Sequence, residues 1–375
     1  MRILLIIDSF GQDGGGAQRQ VSLLASLFAQ NNCYTEVITF MDGDFFKPTD
    51  DRIVLTKFPF KKDSKLSFLL LAFRIRKYVK SNPFDVVLSF MPYCNFLNCF
   101  TGIGGAKWKI VTSERSAKSS QFNGLKGKIF AWFQRYSDAL VCNSYAARKM
   151  WLEHCPSYKN KLHVIYNSIA VPEYSPPLEV RKGGKTHLIV AATYRPVKNT
   201  HNLIRAVSLL SPSDQERLKI DWYGATTLPD GRSDFFDQSI QLVKELGLES
   251  MISLHPSTDR IFEYMQTSDA VGLFSQVEGM PNCIAEGMSL GKPIIMTRAS
   301  DYELLVDEKN GFLCDWDDLE SIKSALSDLV NASDQKILSL GKASYDKAVH
   351  LFPIEKTFKQ WRELAVSLLK SNNAV

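Results

Sequence analysis

The segment that decides the fold is residues 270–297, which read AVGLFSQVEGMPNCIAEGMSLGKPIIMT. A short apolar run ends in a polar loop, and Pro281 stands where a helix can begin. Gly291 and Pro293 end that helix, and a second apolar run follows at once, at residues 294–297. A strand, a helix and another strand in this order predict parallel strands joined by a crossover helix.

The same alternation runs along the rest of the chain, where short β-branched runs are separated by helix-length segments. The predicted strands lie at residues 2–8, 35–40, 85–90, 109–113, 139–142 and 162–166 in the first half, and at 187–192, 219–223, 252–254, 269–273, 294–297 and 311–314 in the second. Continuous apolar strands of this kind are covered by helices on both faces. The sequence therefore predicts an α/β fold in which a doubly wound parallel sheet occurs twice.

A break in the pattern divides the chain near residues 168–186, where three prolines and two glycines stand among charged residues. We predict one Rossmann-like domain at residues 1–170 and a second at 171–350. Residues 351–375 form an amphipathic helix that we expect to pack back on the first domain. Two such domains place a cleft between the carboxyl ends of their sheets, where ligands bind in open α/β folds.

Composition excludes several classes of protein. The 375 residues are 45% hydrophobic and 23% charged, which is ordinary globular usage. The net charge of +5 is too small to imply a nucleic-acid partner, but it suits an anionic small ligand or an anionic membrane surface. The seven cysteines and six histidines show no metal-ligand spacing, and neither a signal peptide nor a transmembrane helix is expected. We expect a cytoplasmic protein without a bound metal ion.

The first segment with candidate chemistry is a glycine-rich loop, residues 11–20, which follows the first predicted strand and reads GQDGGGAQRQ. Glycines let the backbone approach a ligand closely, and the helix that follows offers free N–H groups and a positive dipole end to an anion. The loop matches neither the dinucleotide-binding fingerprint nor a Walker A loop. It is therefore either an anion-binding loop or a connection without a ligand.

Two further segments follow strands of the second half. Arg195 and Lys198 come after the strand at 187–192, where two cations can clamp a diphosphate. Glu278 lies at the loop edge of the sheet, and Glu286 lies further along the helix. The alternative interpretation is exposed loop cations in the first case and two solvated helix carboxylates in the second.

In this order the three segments resemble the retaining GT-B glycosyltransferases of the GT4 family. The family's GGA-Glu/Gln-Arg loop reads Gly15–Arg19 here, its basic loop reads Arg195–Asn199, and its EGxPNxxxE segment reads Glu278–Glu286. The phrases Val141–Ser144 and Val164–Ser168 also match the close of the family's first domain. The resemblance covers nearly the whole chain and implies the GT-B fold.

The resemblance also implies roles for particular residues. Glu286 would hold the donor ribose hydroxyls, and Lys198 and Arg195 would neutralise the departing diphosphate in place of a metal ion or other cofactor. The implied catalytic residues are Glu278, Lys198 and Arg195, and the implied donor-binding residues are Gly15, Gly16, Arg195, Lys198, Gly279, Met280, Pro281, Asn282 and Glu286. When Lys198 is aligned, however, the family's Arg falls on Thr193, so Arg195 would have to serve from a shifted position.

Acceptor contacts are implied on the first domain. Glu114 and Arg115 follow a predicted strand on a loop that the family uses for ligand contacts, and Asn95 is a similar candidate. An internal ion pair is the alternative for Glu114 and Arg115. Residues 57–77 interleave cations with aromatic residues, which is typical either of a helix attracted to anionic lipid or of a core helix with a basic outer face.

The resemblance implies an enzyme that transfers a hexosyl unit, with retention, from a nucleotide-diphosphate sugar to a glycan acceptor. We expect a UDP-sugar rather than a GDP-sugar as donor and a polyprenyl-diphosphate-linked acceptor. The setting would be surface polysaccharide or lipopolysaccharide biosynthesis at the inner face of the cytoplasmic membrane. The alternatives are a GT-B sugar-nucleotide epimerase, which needs no acceptor, and a nucleotide-binding protein without catalytic activity.

Overall fold

The computed structural model describes residues 1–11, 16–60, 65–175, 180–227, 231 and 233–370. These residues form two units, each built on its own parallel sheet. The first unit contains residues 1–168 together with the C-terminal segment from Glu355, and the second contains Ile169–Ile354. The prediction of a doubly wound α/β architecture occurring twice is confirmed.

The first unit has a sheet of seven strands. They are β1 (Arg2–Ile6), β2 (Tyr34–Thr39), β3 (Ile53–Lys57), β4 (Val86–Phe90), β5 (Lys109–Glu114), β6 (Ala139–Cys142) and β7 (Leu162–Val164). All are parallel, in the order β3-β2-β1-β4-β5-β6-β7. The winding direction reverses between β1 and β4, so the loops that follow these two strands flank a crevice at the carboxyl edge of the sheet.

Helices cover both faces of this sheet. They are α1 (Gly16–Gln30), α2 (Lys65–Ser81), α3 (Pro92–Thr101), α4 (Gly124–Phe133), α5 (Tyr145–His154) and α14 (Ile354–Lys370). Successive strand residues point to opposite faces, so Leu5 packs with α1 and α14 while Leu4 packs with α2 and α3. Trp361 of α14 is 4% exposed, and its ring lies 5.8 Å from that of Phe90. The C-terminal helix is thus part of the core of the first unit.

The second unit has a sheet of six strands. They are β8 (Thr186–Ala191), β9 (Leu218–Gly224), β10 (Ile252–Pro256), β11 (Ala270–Leu273), β12 (Ile294–Thr297) and β13 (Gly311–Cys314). The helices are α6 (Thr200–Ser208), α7 (Pro212–Glu216), α8 (Asp234–Glu245), α9 (Ile261–Thr267), α10 (Asn282–Ser289), α11 (Tyr302–Leu305), α12 (Leu319–Asn331) and α13 (Asp334–Leu351). The strand order is β10-β9-β8-β11-β12-β13, so the winding reverses between β8 and β11.

The structure corrects the interpretation of residues 57–77. Lys57 ends strand β3, which the sequence analysis missed, and the helix that follows is Lys65–Ser81. Strand β3 was not predicted because its apolar pattern is weak. It is an edge strand in which only Ile53 is buried. None of the helices in the described part of the chain is long and apolar enough to cross a membrane.

Candidate active site

Two strand ends bring Lys198 and Glu278 together where the second sheet reverses its winding. Lys198 ends a 3-10 turn that follows β8, and Glu278 lies in the loop that follows β11. The Gln276 N–H donates to the Val197 carbonyl at 2.9 Å, which holds the loop against the turn. Lys198 Nζ donates to Glu278 Oε1. Residues 80 positions apart in the chain therefore meet because β8 and β11 are neighbours.

This ion pair is partly shielded from solvent. The side chains of Lys198 and Glu278 are 22% and 14% exposed, so their attraction is stronger than that of a surface pair. Burial raises the pKa of the nearby Cys283 thiol to about 12, with Glu278 and Glu286 adding to the rise and Lys198 opposing it. We call Lys198, Glu278 and Glu286, the three charged residues near Cys283, the charged cluster.

Helix α10 presents its N-terminus beside this cluster. Pro281 is the N-cap residue, it makes no side-chain capping hydrogen bond, and the first turn contains no acidic residue. The positive end of the helix dipole can therefore attract an anion. Gly279 is held by Ser300, whose hydroxyl donates to the Gly279 carbonyl. Glu286, in the second turn of the helix, is only 6% exposed.

Unpaired polar atoms also occur at these strand ends. Arg195 accepts a hydrogen bond from the Lys198 N–H at its backbone oxygen, 2.8 Å away, but its Nε is buried without a partner among the described residues. The Ser275 hydroxyl, just beyond β11, is buried without a partner in the same part of the chain. A buried unpaired polar group is destabilising by about 1–3 kcal/mol, which a polar ligand can relieve. Thr193, where the family's Arg falls, lies in the loop between β8 and the 3-10 turn.

Helix α1, which begins at Gly16 after β1, stands at the corresponding position of the first sheet. Gly15 lies outside the described residues, whereas Gly16 begins α1. The Gln18 side chain donates to Asp8 at 3.4 Å, and burial raises the pKa of Asp8. Asp8 was not among the predicted site residues, although an acidic residue directly after an apolar strand could have indicated it. Gln20 of α1 donates to the Ser168 carbonyl at 2.8 Å.

Glu114, at the end of β5, is buried and held by an amide network. Asn95 Nδ2 donates to Glu114 Oε1 at 2.8 Å and to the Ser113 carbonyl at 3.0 Å, while Asn95 Oδ1 accepts from the Ser89 hydroxyl at 2.9 Å. Burial raises the pKa of Glu114 to about 7, although the Asn95 hydrogen bond and the charge of Arg115 oppose the rise. Asn95 is fully buried with both amide atoms engaged, so the structure places it as a positioning residue for Glu114.

Arg115 is held separately from Glu114. Its Nη1 donates to Asn167 Oδ1 at 2.5 Å, and its guanidinium lies 4.5 Å from the centre of the Phe90 ring. Burial lowers the pKa of Arg115 to about 9. Glu114 instead borders a small cavity whose lining includes Gln121 and Trp151. This arrangement leaves Glu114 next to a space that a ligand group could enter.

The structure thus divides the predicted site residues into two groups. One group gathers where the second sheet reverses, and it comprises Arg195, Lys198, Glu278, Gly279, Met280, Pro281, Asn282 and Glu286. The other group, in the first unit, comprises Gly16, Asn95, Glu114 and Arg115. Across the ranges that the structure describes, no group of three or more His, Cys, Asp and Glu could hold a metal ion.

Comparisons with known proteins agree with this division. Residues 14–171 match the family model Glycosyltransferase Family 4, and residues 175–347 match Glycosyl transferases group 1. The structure is similar to that of Anabaena Alr3699/HepE in complex with UDP and glucose, with a TM-score of 0.82, 19% identity and coverage of 98% of this chain and 100% of the other. This likeness confirms the predicted GT-B fold.

Two relatives match this chain over most of its length, but at low sequence identity. The N-acetylgalactosamine-N,N'-diacetylbacillosaminyl-diphospho-undecaprenol 4-alpha-N-acetylgalactosaminyltransferase of Campylobacter jejuni is 24% identical over 77% of each chain. The amylovoran biosynthesis glycosyltransferase AmsD of Erwinia amylovora is 20% identical over 97% of this chain and 99% of its own. An uncharacterized glycosyltransferase of Haemophilus influenzae is 28% identical, but the match spans only 34% of that protein.

Proposed function

The chain belongs to the GT4-type glycosyltransferases, and from that premise we propose that it transfers a hexosyl unit from a nucleotide-diphosphate sugar to a glycan acceptor, with retention at the anomeric carbon. The observation that carries the proposal is the Lys198–Glu278 pair beside buried Glu286, at the reversal point of the second sheet. Ligands of open α/β sheets bind at such points.

The proposed transfer reaction requires fixed positive charge near the leaving diphosphate. Breaking the bond between sugar and phosphate builds negative charge on the diphosphate and positive charge on the anomeric carbon. Lys198, Arg195 and the N-terminus of α10 supply the positive charge, so we propose that no metal ion or other cofactor is needed. The acceptor hydroxyl attacks the anomeric carbon on the face that the diphosphate leaves, and the departing phosphate oxygen takes the hydroxyl proton.

The ion pair gives donor binding a specific consequence. When the diphosphate approaches, its oxygens compete with Glu278 for Lys198, and the freed carboxylate can accept a hydrogen bond from a sugar hydroxyl. Glu286, buried in α10, would accept from the ribose hydroxyls. The two carboxylates would thus recognise the two ends of the donor, the sugar and the nucleoside.

The similar proteins support a choice of substrates. The Anabaena structure holds UDP and glucose, which favours a UDP-sugar donor over a GDP-sugar. The Campylobacter relative is named for an undecaprenol-diphosphate-linked acceptor, and the Erwinia relative for amylovoran biosynthesis. We therefore propose a polyprenyl-diphosphate-linked glycan as acceptor, in surface polysaccharide or lipopolysaccharide assembly. We place this reaction in the cytoplasm, at the inner face of the membrane.

A donor screen followed by a transfer assay tests the proposal. A nucleotide at 100 times its Kd stabilises the protein by about 2.7 kcal/mol, so UDP or a UDP-hexose should raise the melting temperature while GDP and ADP do not. The stabilisation should be lost in Glu286→Gln. Transfer from that UDP-hexose to a polyprenyl-diphosphate glycan should persist in excess EDTA and give a product with the donor's anomeric configuration. A GDP response, an EDTA-sensitive reaction or an inverted product would each contradict a stated part of the proposal.

One observation favours a second candidate, the sugar-nucleotide epimerase. Such an enzyme needs an acid/base group in the first unit, and Glu114 combines a pKa of about 7 with a position next to a cavity. The two candidates differ in their need for an acceptor. Conversion of the UDP-sugar to its epimer in the absence of any acceptor would favour the epimerase, whereas transfer that requires the acceptor favours the glycosyltransferase.

A further inference from the structure

The outward face of helix α2 is apolar and exposed. Leu66, Leu69, Leu70 and Phe73 are 65%, 44%, 55% and 59% exposed. Their spacing of three and four residues places them in one stripe along the helix. A surface helix normally turns polar residues outward, so a stripe of this kind marks an interaction surface.

Helix α4 repeats the pattern. Leu125, Ile129 and Trp132 follow one another at spacings of four and three residues and are 77%, 40% and 49% exposed. The apolar spacing of this helix is also that of an ordinary core helix, so the sequence alone does not show that the stripe is exposed. Two separate helices of the first unit therefore expose apolar stripes.

Aromatic rings join the two stripes into one surface. Tyr93, at the start of α3, is 42% exposed. Its ring centre lies 5.5 Å from that of Phe68 on α2 and 5.4 Å from that of Phe130 on α4. We name this surface the α2–α4 face; it consists of Leu66, Leu69, Leu70, Phe73, Tyr93, Leu125, Ile129 and Trp132.

The α2–α4 face lies in a strongly basic part of the chain. Between Lys65 and Ser137 there are twelve Lys and Arg but two Asp and Glu, whereas the whole chain has 45 and 40. The two acidic residues, Asp85 and Glu114, lie outside α2, α3 and α4. Lys126 Nζ stands 4.1 Å from the centre of the Tyr93 ring, within the face itself.

Further exposed cations border the face on the same two helices and just after them. They are Arg74, Lys77 and Lys80 on α2, Lys128 on α4, and Arg135 two residues after α4. Arg74 also donates to the Pro59 carbonyl at 3.1 Å, which keeps its guanidinium at the surface. The apolar stripes are thus accompanied by positive charge, with no acidic side chain on these helices to offset it.

We propose that the α2–α4 face docks on the surface of an anionic lipid bilayer. The exposed leucines and Phe73 would enter the boundary between headgroups and acyl chains, and the neighbouring cations would contact lipid phosphates. Trp132 and Tyr93 have the amphipathic rings that favour this interfacial depth. A second copy of the chain is the weaker match, because pairing two such faces would bring like charges together.

Flotation of the full chain with lipid vesicles tests this surface without donor or acceptor. We expect binding to phosphatidylcholine vesicles that contain phosphatidylglycerol to exceed binding to phosphatidylcholine alone by about tenfold or more, and to weaken as salt rises. The double variants Leu70→Gln/Phe73→Gln and Leu125→Gln/Trp132→Gln should each reduce binding by about tenfold. Unchanged melting temperatures would show that the variants are folded.

A matched control distinguishes binding through the α2–α4 face from nonspecific binding of exposed apolar residues to vesicles. Leu209 and Leu246 of the second unit are 44% and 38% exposed, so Leu209→Gln/Leu246→Gln removes comparable exposed apolar groups elsewhere. This control should bind vesicles as the unmodified chain does. Equal loss in the control, equal binding to neutral vesicles, or no vesicle binding would overturn the proposal. A dimer in light scattering that the two α2–α4 variants disperse would also overturn it, in favour of self-association.

The readout is independent of the proposed transfer reaction. The vesicles contain neither a sugar donor nor a glycan acceptor, so a failed transfer assay leaves the binding result intact. Conversely, if the chain transfers sugar but does not bind anionic vesicles, the proposed function stands and the proposed membrane-docking role of the α2–α4 face is wrong.

Discussion

At the scale of single residues, Lys198 has the most direct chemical consequence. It pairs with Glu278 and is the cation that we propose for the leaving diphosphate. We expect Lys198→Met to lower kcat/KM for the UDP-sugar by about 10²–10³-fold, the usual loss for a group that stabilises transition-state charge. The free energy of unfolding should fall by about 1–3 kcal/mol, because Glu278, whose side chain is 14% exposed, is left without its charged partner.

A matched variant and a double variant sharpen this prediction. Lys323→Met removes a different ion-paired lysine, which pairs with Glu320 in α12, and should leave kcat/KM unchanged. If Lys198 and Glu278 act as a unit, Lys198→Met/Glu278→Gln should be little worse than the worse single variant. Full activity in Lys198→Met would rule out the proposed role of this lysine.

Glu114 predicts a pH dependence of stability. Its pKa in the folded protein is about 7, above the ordinary glutamate value of 4.5, so between these pH values the folded state keeps a proton that the unfolded state loses. The unmodified chain therefore loses stability as the pH rises through this window. Glu114→Gln, whose amide oxygen can still accept from Asn95, should gain roughly 1–3 kcal/mol relative to it between pH 5 and pH 8.

Urea unfolding at several pH values measures this difference. Glu308→Gln, a change at an exposed residue of the second unit, is the matched control and should give a difference that does not vary with pH. A Glu114→Gln curve parallel to that of the unmodified chain would show that the carboxyl is ionised in the folded protein at all these pH values.

The residues of the candidate site were predictable to different degrees. Lys198, Glu278 and Glu286 were identified because each follows a recognisable strand, loop or helix start in the sequence. The role of Asn95 was not predictable, since its partner Glu114 is 19 positions away and the two meet only because β4 and β5 are neighbours. A motif indicates which residues face a ligand. The buried amide side chains that hold those residues can be predicted only when the order of the strands in the sheet is known.

At the scale of elements, the apolar pattern was sufficient to predict the interior parallel strands. It was insufficient to predict the edge strand β3 or to show which helix faces are exposed. Interior strands such as β4 are buried at every position, so their continuous apolar runs stand out. Strand β3 buries only Ile53 fully and was missed. Helix α4 shows the converse difficulty, because periodicity gives the stripe of Leu125 and Trp132 but does not tell whether protein or solvent covers it.

The contact between α10 and β11 gives a prediction at this scale. Gly287 faces Val271 so closely that a Cβ at Gly287 would lie 2.8 Å from the Val271 side chain. Gly287→Ala should therefore destabilise the protein by about 1–3 kcal/mol, measured by urea unfolding. Because α10 also carries Glu286, nucleotide binding should weaken together with stability.

A compensating change tests the cause. In Val271→Ala/Gly287→Ala the two Val271 methyl groups that crowd the new Cβ are absent, while the Val271 Cβ, also 2.8 Å away, remains. A part of the stability lost in Gly287→Ala should therefore return, even though Val271→Ala alone is destabilising. Strictly additive losses would mean that the helix does not need the close approach that glycine allows here.

At the scale of the whole molecule, the two sheets share one organisation. In each, the first strand of the unit and the strand after the crossover lie side by side, β1 with β4 and β8 with β11. The predicted phosphate-binding loop follows β1, and the Lys198–Glu278 pair connects the loops after β8 and β11. The doubly wound topology therefore explains why the motifs that were informative in the sequence fall directly after strands rather than within them.

The path of the chain adds one feature that the sheets alone do not show, since α14 follows the second unit in sequence but belongs to the core of the first. Trp361 is 4% exposed and lies against Phe90, so Trp361→Ala should destabilise the protein by about 3–5 kcal/mol. Hydrogen exchange of the full chain should show faster exchange in β1 and α1 but not in β8 and β11, because only the first unit loses core contacts. Val366→Ala, at a 37% exposed position of the same helix, should change neither. Faster exchange in the second unit, or in both units alike, would mean that the stability of the first unit does not depend on α14 in the way its packing indicates.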